Sequence, residues 1–246
     1  MSKSFVIDCL PESARHYRHE WAIVAVDVIR ATTTAITAAA TGRRCFPVPT
    51  IQAALALAPE LDNAVLAGES GGAIPAGFEI DNSPAHLASR PDTYRPLILV
   101  SSSGTKVIHE ALGCAATYIS CFRSYSTLPG FLCERHPRVA IIGAGTKGEF
   151  REEDQICCAW IAAGLLKYGY EPENPQTVTI LDRWRHASAA ACICSHSVDF
   201  LKRTGRFADL DFILGHVDDL QDVFAVLGGE VVAISPTQVG SLKLTA

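Results

Sequence analysis

The stretch AIVAVDVIRATTT, residues 22–34, passes from an apolar strand to a hydroxyl-rich helix start within a few residues. Ile23, Val24, Val26 and Val28 are β-branched, which predicts a buried strand. A carboxylate, Asp27, closes that strand, and Arg30 follows three positions later. From Ala31 the run ATTTAITAAA predicts a helix whose first turn carries Thr32, Thr33 and Thr34. Backbone N–H groups at a helix N-terminus point outward, and the dipole there favours negative charge. An arginine beside them can grip two phosphate oxygens together. Asp27 would repel a bare phosphate, so next to one it must either hold a divalent cation or attack phosphorus. A second reading stays open, in which Asp27 only caps the helix and Arg30 is solvated.

Working outward, strands are expected at residues 4–9, 22–28, 44–48, 63–67, 96–101, 115–120, 138–143, 177–181 and 230–234. Helices are expected at 31–41, 50–58, 103–113, 152–168, 184–203 and 217–227. Strand and helix alternate for most of the chain, which predicts an α/β fold with a mixed or largely parallel sheet. The segment GESGGAIPAGFEIDNSP, 68–84, is too rich in Gly, Pro and polar residues for core and reads as a long functional loop. Residues 1–235 read as a single compact unit, with 236–246 as a C-terminal tail.

Composition narrows the function classes. The chain is 48% hydrophobic and 19% charged, enough for a full core and too apolar for disorder. A net charge of −5 lacks the basic stripe of a general nucleic-acid binder. No apolar run is long enough to span a membrane. The N-terminus lacks a signal-peptide core, and the nine cysteines are odd in number and form no C-x-x-C pair, so a cytoplasmic protein with reduced thiols is expected.

Four more clusters fall at strand ends. NAVLAGE closes on Glu69, and its loop then supplies Asn82 and Ser83. PLILVSSSGT runs into Ser103, Gly104 and Thr105, a row of donors suited to an anion. RVAIIGAGTKGEFREED closes on Glu153 and Asp154 in a first helical turn, where acidic residues are also ordinary dipole partners. If these ends converge where α/β sheets bind ligands, they form a divalent-metal phosphate site. The fourth is Gly143, Gly145 and Gly148, which spell G-x-G-x-x-G after a strand. A dinucleotide site would need a helix opening within those glycines and an acidic residue about 20 positions on, and neither is present.

In order and spacing, VDVIRATTT, LAGESGGAIPAGFEIDNSP, VSSSGTKVI and IIGAGTKGEFREED resemble the 2-phosphosulfolactate phosphatases, over about residues 5–235. The resemblance implies a three-layer α/β/α arrangement of two similar, closely packed halves, about 1–120 and 121–235. It implies a Mg2+-dependent phosphatase converting 2-phosphosulfolactate to sulfolactate and phosphate, a step toward coenzyme M. The partner would be a small phosphorylated acid, with no nucleic acid and no membrane; a homodimer is compatible with the sequence. In that setting Asp27, Glu69 and one of Glu153 or Asp154 would hold Mg2+. Arg30, Thr32 to Thr34, Asn82, Ser83 and Ser103 to Thr105 would hold the phosphate, with Asp27 and Arg30 catalytic. Two departures stand out: Ser103 occupies the place of a family asparagine, and Arg123 follows a strand where the family usually carries an asparagine. Arg123 is therefore a candidate anchor for a second acidic group. The same departures motivate the alternative of a non-catalytic anion-binding protein on this fold; an NAD(P)-dependent oxidoreductase is a more distant one.

Overall fold

The computed structural model describes residues 2–146 and 148–236. Its strands are β1 (Lys3–Cys9), β2 (Ala22–Val26), β3 (Cys45–Val48), β4 (Val65–Gly68), β5 (Leu97–Val100), β6 (Ala116–Ser120), β7 (Arg138–Gly143), β8 (Tyr170–Pro172), β9 (Val223–Leu227) and β10 (Glu230–Ile234). The α-helices are α1 (Ala31–Ala40), α2 (Ile51–Leu57), α3 (Pro84–Ala88), α4 (Gly104–Glu110), α5 (Leu128–Cys133), α6 (Glu152–Lys167), α7 (Pro175–Trp184), α8 (His196–Arg203) and α9 (Phe207–Gly215). All ten strands join one mixed sheet in the order β4-β5-β3-β10-β9-β6-β2-β7-β1-β8, with helices on both faces, a three-layer α/β fold. Strands from before and after residue 120 alternate in it, since β1 lies between β7 and β8.

Two departures from the sequence reading shape this sheet. Residues 217–227 were expected to be helical, but they end in β9, which pairs antiparallel with β10. Gly228 and Gly229 both take positive φ, 56° and 83°, the backbone that a two-residue hairpin demands. That Gly-Gly signal between two apolar runs outweighs the helical spacing of Val217, Leu220 and Phe224. Residues 177–181, expected as a strand, lie inside α7. Asn174 accepts a hydrogen bond from Thr177 N and Pro175 opens the first turn, so capping overrides the β-branched run. The expected helix 184–203 breaks at Trp184 and restarts at α8, where Ser195 accepts from Val198 N. The short helices α3, α5 and α9 and the strand β8 carry too few residues for periodicity to mark them. The tail beyond Pro236 lies outside the described residues.

The hairpin has a topological effect. β6, β2, β7, β1 and β8 form one parallel block, and β4, β5 and β3 another. β9 pairs antiparallel with β6, and β10 with β3, so the two blocks run in opposite directions. Val65, Ala67, Leu97 and Leu99 of one block share a core with Ile23, Ala25, Ile119 and Ile142 of the other. α1 and α4 fill that core between them. α1 is buried at every position from Ala31 to Ala38: it carries no charge, and its four threonine hydroxyls there donate to backbone carbonyls. On the opposite face α5 to α9 cover β1, β2, β6 and β7, while Ile98 and Val100 turn onto α2. With both faces covered, β2 is buried throughout, which is why its sequence is continuously apolar. Among the described residues no helix is long and apolar enough to cross a membrane.

Candidate active site

The ends of β2, β4, β5 and β7 open onto a cleft of about 1080 Å³. Asp27, Arg30, Glu69, Asn82 and the run Ser101 to Ser103 line it together with Thr146, Glu149 and Arg151. α8 supplies another wall, with His196, Asp199, Phe200, Lys202 and Arg203.

Asp27 does two things. One carboxylate oxygen, Oδ1, accepts from Ala31 N at 3.2 Å and so caps α1. The side chain is nonetheless part of the cleft wall. Burial pushes its pKa well above the usual carboxylate range; the Ala31 N–H pulls it back, while the charges of Glu69 and Glu153 add to the rise. Gly104, at the start of α4, packs against it from the other strand block. Glu69 is fixed more tightly: Gly72 N, Ser102 N and the Ser102 hydroxyl all donate to it, at 2.8, 2.6 and 2.9 Å.

Arg30 is neither solvated nor free to grip a ligand with both arms. Its Nη1 donates to Asp209 at 2.7 Å and to Asp81 at 2.9 Å, and Nη2 donates to Asp81 at 3.1 Å. Asp209 also accepts from the Ser83 hydroxyl and Ala85 N, tying the end of the 68–84 loop to α9. The hydroxyls of Thr32, Thr33 and Thr34 turn inward: Thr32 donates to Asp27 and Ser120 carbonyls, Thr33 to Val28 O and Thr34 to Arg30 O. Thr105 and Ser101 bond reciprocally, backbone N–H to hydroxyl in each direction. These groups shape the floor of the site, and Ser103 and Asn82 are what the donor-rich turns present to the cleft.

Thr32 to Thr34, Ser83, Gly104 and Thr105 do not line the cleft themselves, and neither do Glu153, Asp154 and Arg123. Glu153 and Asp154 are buried, and Asp154 accepts from Val28 N at 2.8 Å. Asp154 thus braces the turn that follows Asp27, while Glu153 faces Ser195 and Ser197 at the start of α8 and keeps its Oε2 buried without a hydrogen-bond partner. Burial first, then the Asp27 and Glu153 charges, lift Asp154 well above the usual range. Arg123 does not line the cleft: Nε and Nη2 bind Asp219 at 3.0 and 2.7 Å, and Nη1 donates to Thr37 at 3.0 Å. The glycine-rich turn at 143–148 forms a bridge between Thr146 and Glu149, and α6 opens only at Glu152.

Among the described residues no three of His, Cys, Asp and Glu gather as a metal-binding group. The cleft still suits a hard divalent cation. Asn82 Oδ1 is buried with no hydrogen-bond partner and belongs to the cleft wall beside Asp27 and Glu69. Two carboxylates and one amide oxygen match what Mg2+ takes from a protein when substrate oxygens and water complete its shell. The cations of α8 were missed in the sequence. His196, Asp199, Phe200 and Arg203 repeat at i, i+3, i+4 and i+7, which sets them on one helix face, but nothing in that spacing says the face looks onto a site.

A family model described as 2-phosphosulpholactate phosphatase matches residues 8–226. Curated relatives carry the name "Probable 2-phosphosulfolactate phosphatase". That of Pseudothermotoga lettingae is 35% identical over 145 residues, 59% of this chain and 60% of its own length. That of Symbiobacterium thermophilum is 33% identical over 156 residues, 62% of this chain and 65% of its own. That of Thermus thermophilus is 29% identical over 212 residues, 84% and 87%. The chain thus spans less than two thirds of the length of the first two relatives.

Proposed function

Because this chain belongs to the 2-phosphosulpholactate phosphatase family, we propose that it hydrolyses the phosphate monoester of a small acidic hydroxy acid, 2-phosphosulfolactate being the first candidate, to the free acid and phosphate. The observation that carries this reading is the meeting of Asp27, Glu69 and the unpartnered Asn82 Oδ1 in one cleft with Ser101 to Ser103.

A phosphate monoester is a dianion, and its hydrolysis demands neutralisation of that charge. The cation expected here is Mg2+, held by Asp27, Glu69 and Asn82. Bound there it would offset phosphate charge and polarise the oxygens around phosphorus. Glu69 cannot swing away, since three donors hold it. Asp27 is oriented by Ala31 N on one oxygen, which leaves the other for the ligand. The Ser103 hydroxyl lies at the cleft wall, placed to donate to a phosphate oxygen. Arg30, clamped between Asp81 and Asp209, fixes the turn that carries Asp27 and keeps the 68–84 loop closed over it. A cytoplasmic setting and a role toward coenzyme M accompany this proposal from the family resemblance.

The test is phosphate release from a panel of phosphorylated hydroxy acids, with Mg2+ and with EDTA. Release from 2-phosphosulfolactate that requires the metal supports the reading. Binding of such acids without turnover, under every metal tried, would make the chain an anion-binding protein instead.

A further inference from the structure

The cleft carries cations that the phosphate chemistry above does not use. Arg30 is neutralised by Asp81 and Asp209, Arg206 by Asp81, and Arg151 by Glu149. Lys202 and Arg203 are different. Both line the cleft, both are exposed, and among the described residues neither has a carboxylate within ion-pair distance. Their hydrogen bonds are to backbone: Lys202 Nζ to Ile193 O at 3.2 Å and Arg203 Nε to Asp199 O at 3.4 Å. Asp199, four residues earlier on α8, offers Arg203 its carbonyl, and no ion pair forms with its carboxylate.

Basic residues in a last helical turn are ordinary dipole partners. What distinguishes these is how firmly α8 is held over the cleft. The Phe200 ring packs on Gly72, so closely that a Cβ there would fall 2.8 Å from Phe200 Cζ. Arg206, just past α8, donates to Asp81 at 2.7 Å and to Gly72 O at 3.3 Å. Phe200 and Arg206 therefore latch α8 to the loop that carries Glu69. A guanidinium in that place, with most of its donors unspent, is suited to bidentate recognition of a planar or tetrahedral oxyanion.

We propose that Arg203, with Lys202 beside it, binds the second acidic group of the substrate, a carboxylate or sulfonate, while the phosphate lies at the Asp27–Glu69 end. This rests on the phosphatase reading for the phosphate end alone. It moves the anchor for the second acid from Arg123, which is spent on Asp219 and Thr37, to α8.

The experiment separates the two claims. Binding of 3-sulfolactate and of malate, neither of which carries phosphate, is measured by calorimetry in the presence of Mg2+. The wild type is compared with the Arg203→Gln/Lys202→Gln double variant, with the Arg203→Gln and Arg203→Lys single variants, and with Arg183→Gln on α7 as a control that removes the same single charge as Arg203→Gln. Both substituted side chains are exposed, so the fold should persist, as circular dichroism would show. The double variant is expected to weaken binding at least about tenfold, the scale of a lost charge-assisted contact, with Arg203→Lys in between and Arg183→Gln like wild type. Stronger binding of sulfolactate than malate would assign the group as sulfonate, and the reverse as carboxylate. Equal affinity in wild type and double variant, an equal loss in the control, or no binding by the wild type would each overturn the proposal. If binding behaves as expected but 2-phosphosulfolactate releases no phosphate, the phosphatase reading falls and the anion subsite stands.

Discussion

Gly104 lies against Asp27 so closely that a Cβ on it would sit 2.2 Å from Asp27 Oδ2 and 2.8 Å from Ala31 Cβ. The sequence suggests Gly104 for its backbone donor; the structure gives it a steric task. Gly104→Ala must push the carboxylate or the start of α1 aside. We expect a loss of about 1–3 kcal/mol in stability, the usual cost of overpacking, and a far larger loss of turnover. Urea unfolding and phosphate release on the same variant check both. Wild-type turnover in a stable Gly104→Ala protein would mean that Asp27 need not keep this position.

Asp27→Asn and Glu69→Gln keep shape and remove charge. Each should lower the catalytic rate by about two orders of magnitude or more, the scale of losing a key charge-stabilising group. The comparison is made at saturating Mg2+ and again across a Mg2+ titration. A rate that recovers at high metal would mark a weakened cation site. Normal turnover in both variants would make these carboxylates structural.

Removal of divalent metal should abolish activity, and Mg2+ should restore it, with Mn2+ as a substitute and no requirement for a soft metal. The donors offered by Asp27, Glu69 and Asn82 are carboxylate and amide oxygens, which favour hard cations. Full activity in chelator would remove the reason for placing Asp27, Glu69 and Asn82 together.

Arg123→Ala should act on stability and leave specificity alone. Its guanidinium bridges Asp219 and Thr37 away from the cleft. Losing these partly buried charge-assisted bonds should cost about 1–3 kcal/mol. The preference for a diacidic over a neutral phosphate ester, read as a ratio of kcat/KM, should stay within about twofold, too small to mark a lost binding contact. A collapse of that ratio would return Arg123 to the substrate site.

His136 sets an acid-side stability trend. Its Nε2 lies within hydrogen-bond distance of the Tyr118 hydroxyl, at 2.9 Å. Burial, with the nearby Arg135 charge, lowers its pKa from 6.5 to about 4. The unfolded chain therefore binds the proton first. The contribution is full above about pH 6.5 and is lost as pH falls toward 4, at most about 3 kcal/mol. Urea unfolding at about pH 7.5 and 5 should show the drop, and His136→Gln should flatten it. An unchanged pH slope in that variant would mean other groups set the trend.

The residue pattern alone determined most strands, the α/β class and the motifs that mark the cleft. The apolar, largely β-branched run 22–26 favours a buried strand and the Gly-Pro punctuation at 68–84 favours loop, because both are local consequences of side-chain shape, although the cap at Asn174 overrides the same strand signal at 177–181. Asp27, Glu69, Asn82 and Ser103 were legible in this way, since each ends a strand or caps a turn. Only tertiary structure decided what these residues face. The β9–β10 hairpin reverses strand direction between two parallel blocks, and packing around α1 and α4 brings the end of β5 against the end of β2. That meeting sets Gly104 on Asp27, buries Glu153 and Asp154 beneath it, spends Arg30 and Arg123 on acidic partners distant in sequence, and turns Arg203 toward the cleft. Ion pairing and convergence depend on contacts 50 to 180 residues apart, such as Arg30 with Asp81 and Asp209, and no local pattern encodes which arginine will find a carboxylate of its own.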